Sequence, residues 1–199
     1  LHLEIIKNKI TRDMKINVEV GKPRVSYREA IQGSFNGARG LFKKQTGGRG
    51  QFGEVFLRVE PLPEGDEEWF VDAVVGGAIP SGFIPAVETG AKQAMAEGSV
   101  NGYPMQDIKV IVYDGKHHSV DSKEIAFIQA GKKAFLDAVS KARPIVMEPI
   151  VNAEFTIPND CVGGVTGDLS GMRGMITGTD ALPDNWAVVT GQVPLQELQ

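Results

Sequence analysis

The stretch NGARGLFKKQTGGRGQFGEVFLRVE, residues 36–60, decides the fold. Its last seven residues set Val55, Leu57 and Val59 against Glu54, Arg58 and Glu60, the period-two pattern of a strand with one buried face. Just before it, Gly48-Arg-Gly-Gln-Phe-Gly53 matches the G-x-G-x-x-G spacing of a dinucleotide-binding turn. That spacing holds a pyrophosphate only when a strand precedes it and a helix follows, because the helix N-terminus receives the charge. A strand follows here, so the match is rejected. Nor does any Gly-Lys-Ser/Thr phosphate loop occur in the chain.

Working outward, Gly40–Lys44 predicts the strand before the glycines and Trp69–Val75 the one after Pro61, Pro63 and Gly65. Phe83–Glu97 predicts a helix with Ile84, Val87, Ala91 and Ala94 on one face, Pro85 in its first turn and Gly98 as its stop. Met105–Tyr113 alternates as another strand. Asp121-Ser-Lys-Glu124 then reads as a capping box, with Asp121 the cap of a helix reaching Lys141 and turning Ile128, Phe135, Ala138 and Val139 inward. Antiparallel strands followed by helix, strand and helix make an α+β domain of about 120 residues, a usual size for one core.

On the N-terminal side, Leu3, Ile6 and Ile10 mark an amphipathic helix over Leu1–Met14 that has neither a cap nor an initiator Met, which predicts an excised fragment. Gly21 and Pro23 make Val18–Tyr27 an extended link. On the C-terminal side, Arg143-Pro144 ends the second helix and Met147-Glu148-Pro149 marks a boundary. Beyond it come a strand (150–157), a helix opened by Pro158-Asn-Asp160 and running to Met172, and strands at 175–179 and 186–193. Strand, helix, strand, strand is the first half of a ferredoxin-like split βαβ unit. With Pro194–Leu198 opening a further helix, this domain is expected to be incomplete and weakly folded unless something completes it. The glycine-dense run 163–174 fits either a loosely packed or a closely packed helix.

Composition narrows the function. The chain has 42% apolar residues, enough for a real core, and a single Cys161, which rules out an internal disulfide framework. No Asn-x-Ser/Thr acceptor, apolar span or export signal is present, which points to the cytoplasm and away from membranes. A net charge of −4 argues against a generic nucleic-acid binder. Locally the balance reverses: residues 36–53 carry Arg39, Lys43, Lys44 and Arg49 with no acid, among six glycines. Two readings fit this stretch, a solvated hairpin connection and a phosphate-contacting loop whose backbone can approach closely. The turn Asp114-Gly-Lys-His-His-Ser119 is similarly open, as a solvated turn or a set of donors. No third ligand stands at metal spacing around His117 and His118, and no nucleophile accompanies them. The acids Glu60, Glu64, Asp66, Glu67 and Glu68 read as a solvated loop.

Taken in order, Leu1–Ile6, Gly21–Glu29, Lys44–Gly53, Val59–Pro63, Gly76–Pro80, Tyr113–Gly115, His118–Ser122, Glu148–Ile150 and Gly167–Gly174 resemble the C-terminal half of bacterial elongation factor G across essentially the whole chain. The resemblance implies the tail of a third domain at 1–20, a fourth domain at 21–147 and part of a ferredoxin-like fifth at 148–199. It implies an α+β fourth domain, a sheet with two helices in a two-layer sandwich like those of ribosomal proteins and GHMP kinases. Its βαβ crossover would be left-handed, against the usual rule.

The family is a translational GTPase that moves tRNA and mRNA through the ribosome. Its fourth-domain tip enters the small-subunit decoding region. By resemblance, the tip residues facing tRNA, mRNA and rRNA are Lys43, Lys44, Gln45, Thr46, Gly47, Gly48, Arg49, Gly50 and Gln51 on one loop. Lys116, His117 and His118 lie on the other, with His118 at the position of the eukaryotic diphthamide. No catalytic residue, metal or cofactor is expected in this monomeric fragment; GTP and magnesium belong to the parent's N-terminal domains. The alternatives are a paralogue for ribosome recycling or protection and, from another class, a GHMP-type small-molecule kinase, which the missing phosphate loop disfavours.

Overall fold

The protein is described by a computed structural model over residues 2–21, 24–45 and 50–198. Helix α1 (His2–Met14) precedes strands β1 (Arg28–Ile31), β2 (Phe35–Lys44), β3 (Gln51–Pro61) and β4 (Phe70–Asp72), then helix α2 (Ile84–Glu97), strand β5 (Ile108–Lys116) and helix α3 (Glu124–Lys141). After these come β6 (Pro144–Met147), β7 (Ile150–Pro158), α4 (Val162–Gly171), β8 (Met175–Leu182) and β9 (Trp186–Pro194). The chain divides into two compact units, Tyr27–Glu148 and a second formed by Leu1–Ser26 with Pro149–Gln199.

In the larger unit, the alternation of β3 builds the middle of a sheet ordered β2-β3-β5-β4. Its pairs are antiparallel except β4 and β5, which are parallel and joined through α2. Val55, Leu57, Val59, Val110 and Val112 are fully buried, as are Val87, Ala91 and Ala94 of α2 and Phe127, Phe135, Ala138 and Val139 of α3. These side chains form one apolar cluster, within which Phe83 stacks on Phe127 at 4.7 Å between ring centroids. Small residues set the spacing of its layers. A methyl at Gly40 would collide with the Ala130 carbonyl oxygen, and one at Gly90 with that of Ile128. Contacts that close allow no side chain at all, so the sheet and both helices meet backbone to backbone. Gly98 ends α2 at φ +75°, a value that suits glycine, and its N–H bonds the Ala94 oxygen.

The structure corrects several sequence expectations. The described residues of Val18–Tyr27 carry no strand, as a link predicts, but β1 and β6, which the sequence reading does not name, flank the link and the boundary and pair antiparallel. β2 begins at Phe35, five residues before the expected Gly40, and β5 runs on to Lys116. Asp121 does not cap α3: Lys123 occupies the N-cap, with no side-chain cap bond. The terminal segment is a short 3-10 turn, Leu195–Leu198. Glu54, expected on the wet face of β3, is buried and takes a hydrogen bond from Arg39 Nε. The acidic loop is not simply solvated, since Lys109 Nζ lies 2.9 Å from Asp66 Oδ2 and 3.9 Å from Glu68. Their hydrogen bond holds the Asp66 carboxyl below its ordinary range and raises the Lys109 ammonium.

Glu29, fully buried in β1, replaces solvent with backbone donors. Its Oε2 accepts from the N–H groups of Ser99 (2.6 Å) and Val100 (2.9 Å), and its Oε1 from those of Asn101 (2.7 Å) and Tyr103 (3.2 Å). Desolvation is the largest single influence on this carboxyl and pushes its pKa up, but the four bonds together outweigh it and hold the pKa at about 2. One side chain thus orders the whole turn that follows α2.

In the second unit, β9 lies between β7 and β8 and pairs antiparallel with both, so β7 and β8 run parallel with a strand inserted between them, the split βαβ arrangement. Leu169 of α4 packs on Val189 and Val193 of β9. Among the described residues, no helix is long and apolar enough to cross a membrane.

Candidate nucleic-acid interface

Strand register brings the two singled-out loops together. Lys44 pairs with Gln51 at the end of the β2–β3 ladder, and Lys116 pairs with Glu54 at the end of β5, so both connections leave the sheet at the same end of its strands. Hydrogen bonds then join them. Phe52 N–H donates to the Asp121 carbonyl (2.9 Å), Gly50 N–H to Asp121 Oδ1 (3.1 Å), and Ser122 Oγ to the Phe52 carbonyl (3.2 Å). A third segment reaches the same place: His117 Nδ1 is 3.2 Å from the Ala78 carbonyl oxygen.

Between the two loops lies a cleft of about 230 Å³, lined by Lys43, Lys44, Gln45, Gly50, Gln51, Phe52, His118 and Asp121. Lys43, Lys44, Gln45, Lys116, His117 and His118 are exposed, whereas Gly50 is buried under Asp121. Thr46, Gly47, Gly48 and Arg49 lie outside the described residues. The cations are not equivalent. Arg39 is committed to buried Glu54, and Lys116 Nζ stands 4.0 Å from the same carboxylate. Lys43 and Lys44 have no carboxylate within ion-pair distance among the described residues, so their charge is available to an outside partner.

Asp121 and Ser122 belong to this site although sequence reasoning placed Asp121 on the helix as its cap. Their short polar side chains suit helix caps and loop clasps equally, and only the position of the β2–β3 connection distinguishes the two. No group of three or more His, Cys, Asp or Glu that could hold a metal occurs among the described residues. Gly50 precedes β3 directly at Gln51 and Gly53 lies within that strand, so the helix that a dinucleotide turn requires does not follow.

Fold and site define a two-layer α+β module with a cationic, imidazole-bearing tip, followed by a split βαβ unit. The chain belongs to the elongation factor G family. The model of elongation factor G domain IV matches residues 23–143, and that of the elongation factor G C-terminus matches 145–199. It is 49% identical to elongation factor G of Petrotoga mobilis and 48% identical to that of Aquifex pyrophilus, in each case over the whole of this chain. A crystal structure of a Thermus thermophilus protein superposes on 99% of the chain with a TM-score of 0.86 and 38% identity, using 29% of its own length. The chain spans 29% and 28% of the length of the two curated relatives.

Proposed function

We propose that this chain is the ribosome-entering part of a translational GTPase, and that the joined tip loops meet tRNA and mRNA in the small-subunit decoding region during translocation. The observation that carries this reading is the clasped pair of loops, which sets Lys43 and Lys44, without an ion-pair partner among the described residues, beside His118 at one end of the sheet. Ammonium groups neutralise phosphate, and glycines, having no Cβ, let a loop approach a nucleic-acid strand closely. Arg49, Thr46, Gly47 and Gly48 join this surface on the strength of the sequence alone, with Gln45, Gly50, Gln51, Lys116 and His117 beside them. Binding and hydrolysis of GTP with magnesium belong to parts of the parent protein outside this chain, which acts in the cytoplasm as a monomer.

His118→Ala in the full-length factor is expected to slow tRNA–mRNA movement at least about tenfold while ribosome-stimulated GTP hydrolysis stays near normal, as loss of a well-placed donor implies. Equal loss of both activities would refute the assignment. Replacing Lys43 or Lys44 by Ala should weaken ribosome binding and lower the salt slope by about one for each phosphate contact removed.

A further inference from the structure

We propose that Asp121 and Ser122 are positioning residues of the tip, which lock the two loops together and hold His118 in the tautomer that carries its proton on Nε2. The functional side of this inference rests on the reading above; the geometry does not. Ser122 Oγ accepts the His118 N–H at 2.7 Å while donating to Phe52, and Ser122 N–H returns to the His118 carbonyl at 3.0 Å. The imidazole closes the loop from the other side. Its Nδ1 accepts the backbone N–H groups of both Val120 and Asp121, each at 3.3 Å. A ring nitrogen that accepts is unprotonated, so the neutral His118 ring keeps its hydrogen on Nε2. The ring is 57% exposed, and a donor results for an acceptor outside the protein.

The preceding residue has the opposite assignment. His117 Nδ1 faces the Ala78 carbonyl, which can only accept, so Nδ1 carries the hydrogen there and Nε2 is left as an acceptor. Two adjacent histidines of identical side chain thus acquire opposite chemistry from their hydrogen-bond partners. The charged groups around His118 are Asp121, whose Oδ2 is 3.7 Å from Nδ1, and Lys43 and Lys44 across the shared cleft.

Long-range proton–nitrogen spectra of the 199-residue chain, ¹⁵N-labelled and held at a pH where the imidazoles are neutral, test this directly. His118 should show an acceptor-type Nδ1 and a protonated Nε2, and His117 the reverse. Asp121→Ala should speed exchange of the Gly50 amide about tenfold, the equivalent of one hydrogen bond, and Ser122→Ala should mix the His118 tautomers. Asp121→Asn keeps an Oδ1 acceptor and should restore Gly50 protection, which separates positioning from mere loss of fold. A protonated Nδ1 on wild-type His118, or unchanged Gly50 exchange in Asp121→Ala, would overturn the proposal. In the full-length factor, Asp121→Ala should slow translocation without adding to the effect of His118→Ala. Expected spectra together with normal translocation would support the clasp and overturn the proposed function of the tip, so the two failures are distinguishable.

Discussion

Glycine means opposite things in the helices of the two units. In α2, Gly90 lies where any methyl would press on the Ile128 carbonyl of α3, and a methyl on Gly131 of α3 would stand 2.8 Å from the Val87 oxygen of α2. In α4, a Cβ at Gly163, Gly164, Gly167 or Gly171 would meet nothing within 4 Å among the described residues beyond the helix's own neighbouring backbone. The first set permits backbone contact between layers, and its entropic cost is offset by packing. The second costs helix stability with no contact at the missing Cβ among the described residues to offset it. Equal residue types therefore stabilise one unit and weaken the other, which suits a small unit whose apolar cluster buries, among the described residues, Leu169, Val189 and Val193.

The largest test of this contrast is Glu29→Gln, which presents an amide nitrogen to backbone donors and leaves N–H groups facing a fully buried side chain without an acceptor. It should cost the larger unit about 4 kcal/mol and spare the smaller one, as read by urea unfolding followed by Trp69 fluorescence in a Trp186→Phe background and by Trp186 fluorescence in a Trp69→Phe background. The same carboxyl gives a pH window. Its folded pKa of about 2 lies below the ordinary 4.5, so its contribution is complete above 4.5 and is lost as pH falls toward 2. The loss amounts to about 3 kcal/mol, and a larger unit with equal stability at about pH 5 and about pH 2.5 would contradict it.

Next in size, Gly90→Ala should destabilise the larger unit by about 2–3 kcal/mol, because two helix backbones must part to admit one methyl. The smallest effect has the opposite sign. Gly167→Ala should stabilise the smaller unit by about 0.5–1 kcal/mol, measured as a raised urea midpoint with unchanged slope. If Gly167→Ala destabilised as Gly90→Ala does, the contrast between the two helices would be wrong.

Much of this architecture was legible. Period two in Glu54–Glu60 located β3, the spacing of Val87, Ala91 and Ala94 located the inner face of α2, and Gly98 located its end. What escaped were features whose partners are remote in sequence. β1 and β6 are four residues each and pair across more than a hundred positions, so neither shows a local pattern. Glu54 reads as an acid on the polar face of its strand, and nothing near Glu29 in the sequence shows the donors that await it. At the tip, the residue types were visible, while the bond from Gly50 to Asp121 spans 71 positions and left Asp121 looking like a helix cap.

The sequence by itself determined the strand and helix periodicities, the local basic charge within an acidic chain, and the absence of a helix after the glycine-rich turn. These follow from nearest neighbours along the chain. Only the tertiary structure decided which glycines are contacts and which are vacancies, which cations are already paired, and which nitrogen of each tip histidine carries the proton. Those depend on atoms brought within about 3 or 4 Å by the closing of a sheet, a distance that spacing along the chain does not encode.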